Sequence, residues 1–178
     1  MSAVLKSIMS SESVEWGTPS RYIEAARMVM GQIDLDPASC DAANRTVRAA
    51  RYFSELMDGL KQLWRAETVF LNPPYGKTGN RSNQDIWAEK LIMEYKFGEI
   101  KQAILLVNAC TSERWFQPLW VFPICLTNHR IKFNDLNGSG RTQPTKGSAF
   151  VYLAPNDGTF VEHFQQFGPI VKAHWLWQ

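Results

Sequence analysis

The sequence predicts an α/β fold built on a mostly parallel sheet flanked by helices, and three observations carry that prediction. Residues 103–107 are an unbroken apolar run, the pattern of a strand buried on both faces. Thr68-Val69-Phe70-Leu71 is a second β-branched and apolar run, and it stops at Asn72-Pro73-Pro74. Segments with helical spacing lie between such runs, and alternation of strand with helix favours parallel pairing.

Taken in order, residues 1–14 are Ser-rich and weakly patterned and read as a flexible arm, leaving 15–178 as one domain. Thr18-Pro19 opens a helix, with Thr18 as N-cap and Pro19 at the first helical position, where its missing N–H costs nothing. Tyr22, Ile23, Ala26, Val29 and Met30 recur on one face, and Gly31 stops the helix. Residues 32–36 alternate as a short strand that enters a loop at Asp36-Pro37, and Asp58-Gly59-Leu60 marks a further strand end. After Asn72–Tyr75, KTGNRSNQ reads as a flexible polar loop. Trp87, Leu91 and Tyr95 at i, i+4, i+8 before Gly98 predict a helix over 85–97. Residues 112–116 read as a short helix cut by Pro118; 123–126 and 148–153 are strands separated by NDLNGSGRTQPTKG. Trp175-Leu176-Trp177 alternates like a closing strand. Ligands of such sheets collect at the carboxyl ends of strands, where Asp36-Pro37 and Asn72–Tyr75 both fall.

Composition narrows the function. With 178 residues, 45% hydrophobic and 20% charged, the chain is globular and can remove roughly 70% of its unfolded surface from water. The 19 Lys+Arg against 17 Asp+Glu leave a net charge of +2, so a nucleic-acid partner must be held by a local patch. No apolar run approaches the ~20 residues of a membrane span. MSAVLKSIMS lacks the pattern of a signal peptide, so a cytoplasmic location is expected. Cys40, Cys110 and Cys125 form no CxxC pair, and His129, His163 and His174 have no ligand spacing, so no metal is expected. In 138–148 the lysine precedes its glycine, which excludes a phosphate loop.

Asn72-Pro73-Pro74-Tyr75 carries the chemistry. Two prolines fix φ near −65° and remove two backbone donors, leaving a stiff turn rich in carbonyl acceptors. Asn72 adds a side-chain acceptor and Tyr75 a flat ring. Acceptors beside a ring suit a planar base with an exocyclic amine: Asn72 and the Pro73 carbonyl accept its two N–H groups, and Tyr75 stacks on the base. Methyl transfer then needs alignment more than a strong base. Taken alone, the same four residues also fit a turn with a packed tyrosine.

WGTP at 16–19, DLDPAS at 34–39, DGL at 58–60 and NPPYG at 72–76, followed by HRIKF at 129–133 and PTKGSAFVYL at 144–153, together resemble the phage-type (Dam-like) DNA N-6-adenine methyltransferases. The resemblance implies a class I, Rossmann-like methyltransferase sheet using S-adenosylmethionine, with double-stranded DNA as substrate, in a bacterial host or phage-infected cell. It places Thr18 and Pro19 near the cofactor's methionine end, with Trp16 as a wall beside them. It also places Asp36 and Ser39 at the amino-acid portion and Asp58 at the adenine. DPASCDAAN departs from the pattern by lacking GxG, and the helix over 41–47 is short; Glu55 and Asn44 are the candidates for the ribose hydroxyls. Lys77 and Arg81, after Tyr75, and Arg141 and Lys146 are candidate DNA contacts or solvated surface cations. Two other readings compete: methylation of RNA or of protein glutamine, which the near-zero net charge favours, and an inactive methyltransferase-like binding domain, which an intact Asn72 and Tyr75 disfavour.

Overall fold

The computed structural model describes residues 16–136 and 145–172; the N-terminal arm, Arg141, His174 and the Trp175–Trp177 segment lie outside the described residues. In chain order the elements are β1 (Trp16–Gly17), α1 (Ser20–Met30), β2 (Leu35–Asp36), α2 (Asp41–Val47), β3 (Arg51–Tyr52), β4 (Ala66–Leu71), β5 (Lys77–Thr78) and β6 (Arg81–Ser82). They continue with α3 (Asn83–Lys96), β7 (Ile100–Asn108), β8 (Ile124–Leu126), β9 (Asn134–Asp135), β10 (Ser148–Leu153), α4 (Gly158–Phe164) and β11 (Ile170–Val171).

Seven strands form one sheet in the order β11-β8-β10-β7-β4-β2-β3. The ladders β3-β2, β2-β4 and β4-β7 are parallel, whereas β7-β10, β10-β8 and β8-β11 are antiparallel. The sheet is therefore mixed, and the expectation of a mostly parallel sheet holds for one half only. An all-apolar run such as 148–153 reports burial on both faces, not direction, so the reversal of β10 leaves no mark in the pattern.

Alternation in the central strands divides the core. Val69 and Leu71, Leu105 and Val107, and Val151 and Leu153 face α3, burying against Trp87 and Leu91. Phe70, Ile104, Leu106 and Phe150 face α1 and α4, against Tyr22, Ile23 and Phe164. Fully burying each such side chain is worth roughly 1.5–3 kcal/mol, so the central strands anchor the loops at their ends.

Several local expectations shift. Thr18 does not cap α1: Pro19 occupies the N-cap, Ser20 is the first helical residue, and the Thr18 hydroxyl is engaged by Asn72 instead. The strand over 32–36 contracts to Leu35–Asp36. KTGNRSNQ is not a shapeless loop, because Gly79 at φ +60° turns β5 into the antiparallel strand β6. Pro118 lies inside a 3-10 helix, Arg114–Val121, in which Phe116 and Leu119, three apart, are both fully buried. His129 packs at the surface end of α1, with Nε2 2.7 Å from the Tyr22 hydroxyl.

Candidate active site

β2 and β4 are adjacent, with Leu35 opposite Val69, so the loops that leave their carboxyl ends share one rim. A third loop, after β3, completes it. Asp58-Gly59-Leu60 is not at a strand end as expected; it sits between two 3-10 turns, Glu55–Met57 and Gly59–Lys61, with Asp58 in the left-handed region at φ +51°. A Cβ on Gly59 would stand 2.0 Å from the Pro37 carbonyl oxygen, so only glycine lets this loop close on Asp36-Pro37. The buried Trp64 ring locks the contact by donating its indole N–H to the Gly59 carbonyl at 2.7 Å.

Together the loops wall a cavity of about 410 Å³, within the size range of small-molecule sites. Trp16, Thr18, Asp36, Ser39, Asp58 and all of Asn72-Pro73-Pro74-Tyr75 line it. Of the residues expected at the catalytic and cofactor site, Pro19 and Asn44 are not on the lining, Pro19 being the N-cap of α1. Glu55 lies on the rim, whereas the Asn44 side chain is committed to the Ala49 backbone, accepting its N–H at 2.8 Å, and drops out as a ribose contact.

The Asn72 carboxamide is oriented. Its Nδ2 donates to the Trp16 carbonyl oxygen at 3.1 Å and to Thr18 Oγ1 at 3.3 Å. A carbonyl only accepts, so the nitrogen must face Trp16, and Oδ1 is turned away from that pair as an acceptor on the cavity wall. Tyr75 is held at both ends. Its carbonyl accepts from Asn83 Nδ2 at 3.2 Å, and its ring meets Phe133 edge-to-face, centroids 6.2 Å apart and planes at 83°. Burial pushes the Tyr75 hydroxyl up to about 12, so the ring is a neutral phenol under physiological conditions.

Asp36 is 3% exposed, and its Oδ1 accepts the Ala38 N–H at 3.2 Å. Burial pushes its carboxyl up to about 7, opposed by the neighbouring Ser39 side chain and the Ala38 N–H. Ser39 Oγ is itself buried on the same wall without a hydrogen bond of good geometry. A carboxyl that resists charging and an unpaired hydroxyl side by side fit a ligand bearing a cationic, hydrogen-bond-donating group. Asp58 Oδ2 is paired with Lys61 Nζ at 2.7 Å at the cavity mouth.

Next to this cavity, a groove of about 880 Å³ runs along α3 and carries Lys77, Arg81, Lys96, Arg114 and Lys146. Arg81 is already engaged there: it forms a fork with Asp85 at 2.7 and 2.8 Å and reaches Glu89 at 2.9 Å, pinning the β5–β6 hairpin to α3. Among the described residues no group of three or more His, Cys, Asp and Glu could hold a metal, and no helix is long and apolar enough to cross a membrane.

Sequence reasoning missed Trp64, Asn83, Phe133 and Leu136. HRIKF contains Phe133 and was visible only as part of a resemblance; the others carry no local signal, because their partners lie far away in the chain.

The cleft at the ends of the parallel strands is thus walled by Asn72-Pro73-Pro74-Tyr75 and the buried Asp36 carboxyl. The model of the DNA N-6-adenine-methyltransferase (Dam) family matches residues 6–162 of the 178, and the chain belongs to that family. It is a DNA adenine methyltransferase. Comparison with curated proteins and with solved structures returns no match.

Proposed function

We propose that the chain methylates the exocyclic amine of an adenine turned out of double-stranded DNA, using S-adenosylmethionine as donor. On this reading residues 15–178 are one domain built on a class I, Rossmann-like methyltransferase sheet. The support is the placement of the loops after β2, β3 and β4 around one cavity; the antiparallel half of the sheet lies beyond β7, away from it.

Residues of the β2 and β3 loops fit the donor. Asp36 and Ser39, one buried acceptor and one unpaired hydroxyl, would hold its ammonium end, and Trp16 and Asp58 would line the remainder. S-adenosylmethionine, when bound, supplies an electrophilic sulfonium methyl. The chain's own residues prepare the amine. Asn72 Oδ1 and the Pro73 carbonyl accept its N–H groups, favouring a tetrahedral nitrogen whose lone pair is free of the ring. Tyr75 stacks on the extruded base and replaces part of the stacking lost from the duplex. After transfer the nitrogen gives up one proton to water, so no strong general base is required.

Lys77 stands two residues after Tyr75 at the head of the cationic groove, and Lys96, Arg114 and Lys146 extend it, giving the flanking phosphates a track. The single observation that carries the proposal is the Asn72 amide, fixed nitrogen-first on Trp16 so that its oxygen is left for a donor. The test offers labelled S-adenosylmethionine with unmethylated duplex DNA, RNA or bulk protein. Label is expected in DNA only; label in RNA or on glutamine would overturn the substrate, and no transfer at all would favour a binding domain.

A further inference from the structure

Residues 133–136 touch Tyr75 at one end of the Asn72–Tyr75 motif and, at the other, the strand that holds Asn72. Phe133, 4% exposed, packs edge-to-face on Tyr75. The next two residues form β9, which pairs antiparallel with β1, Asn134 opposite Gly17 and Asp135 opposite Trp16. Trp16 is the residue whose carbonyl holds the Asn72 amide. Leu136 then lies over β1 so closely that a Cβ on Gly17 would stand 2.7 Å from its Cδ2, and it lines the cavity. One four-residue segment thus reaches the ring at one end of the motif directly and the carboxamide at the other through a single ladder.

We infer that Phe133 is a positioning residue for methyl transfer, acting through Tyr75, within a strap over 133–136 that sets the spacing between the Asn72 acceptor and the Tyr75 ring. The inference rests on the reading of Asn72 and Tyr75 given above. Prolines 73 and 74 stiffen the backbone between those two residues, but the Tyr75 ring still needs a partner to fix its plane. An edge-to-face contact does this while covering at most one of the two faces of the ring. Phe133 also belongs to the core beneath α1, where it joins Tyr22 and Phe150, so a purely structural role must be separated from the positioning one.

A double-mutant cycle separates them. Phe133→Leu is expected to lower kcat/KM on a duplex oligonucleotide about three- to tenfold, the range of an aromatic pair, with the melting temperature changed by a few degrees at most. In a Tyr75→Ala background the same substitution is expected to cost nothing further, and in a Tyr75→Phe background, which keeps the ring, the full loss should return. Should Phe133→Leu melt too low to assay, Phe133→Met serves in the same cycle. Equal losses in all three backgrounds, or no loss in any, would overturn the inference and leave the site reading standing. Full activity of Tyr75→Ala by itself would overturn that reading as well.

Discussion

The side-chain nitrogen of Asn72 donates to the main-chain carbonyl of Trp16 at 3.1 Å, joining residues 56 apart in the chain. The bond fixes which end of the carboxamide faces the cavity. It also ties the motif at the end of β4 to strand β1, so that WGTP and NPPY form one structure. Thr18, 4% exposed, completes the grip on the same nitrogen.

Tyr75 separates a nucleobase substrate from most others. If its face stacks on the base, Tyr75→Phe and Tyr75→Trp keep most activity and Tyr75→Ala loses one to two decades in kcat/KM, matching ~1–3 kcal/mol per stacked base. The loss should shrink when the target adenine is mispaired, because less unstacking must be supplied. Steady-state kinetics on paired and mispaired duplexes check this; a Tyr75→Phe variant as inactive as Tyr75→Ala would assign the hydroxyl, not the ring.

Asp36 makes stability depend on pH. Its folded carboxyl titrates near 7 against 3.8 for the free group, so the native state holds the proton more tightly than the unfolded chain does. Stability from this group is fully present below about pH 4 and is lost as pH rises towards 7, a total of roughly 4 kcal/mol. Asp36→Asn removes that slope. The variant should melt higher than wild type at pH 8 and not at pH 4, and its affinity for S-adenosylhomocysteine should fall; parallel melting curves across the range would refute the assignment.

Gly59→Ala forces a methyl group into the Pro37 carbonyl, 2.0 Å from the new Cβ. Relief requires the β2 and β3 loops to part, with a cost of about 1–3 kcal/mol. Thermal melting and calorimetric titration with S-adenosylhomocysteine should both register it, whereas Gly79→Ala, in a hairpin tip with nothing within 4 Å, should leave that affinity unchanged.

Cations in the groove differ in what they have left to give. Lys77→Gln should reduce the slope of log K for DNA against log salt by about 0.9, one phosphate contact. Arg81→Gln should change the slope less and chiefly loosen the hairpin, because Asp85 and Glu89 already hold the guanidinium. Binding titrations over a series of salt concentrations distinguish the two; equal slope changes would mean that Arg81 leaves its carboxylates for DNA.

Features governed by local chemistry were legible in the sequence. The apolar runs of β4, β7 and β10, the periodic face of α3 and the Gly31 stop of α1 all reflect neighbours within a few residues, and so does the turn at Asn72–Tyr75. What stayed hidden depends on distant partners. Nothing near Trp64 in the chain marks its N–H bond to the Gly59 carbonyl, and nothing near Phe133 marks Tyr75 as its partner. Strands β1 and β9, two residues each, are too short to show any period, yet their ladder orients the site. Arg81 is legible as a cation shortly after Tyr75, whereas its pairing with Asp85 and Glu89 shows only once α3 brings those carboxylates alongside.

The most direct test of the account is nucleoside analysis of DNA from methylation-free cells expressing the wild-type chain or Asn72→Ala, combined with S-adenosylhomocysteine binding to both proteins. N6-methyladenine is expected with wild type and none with Asn72→Ala, while both proteins bind S-adenosylhomocysteine with nearly equal affinity, since the amide acts on the target amine and not on the donor. N6-methyladenine persisting with Asn72→Ala, or a loss of cofactor affinity as large as the loss of product, would contradict it.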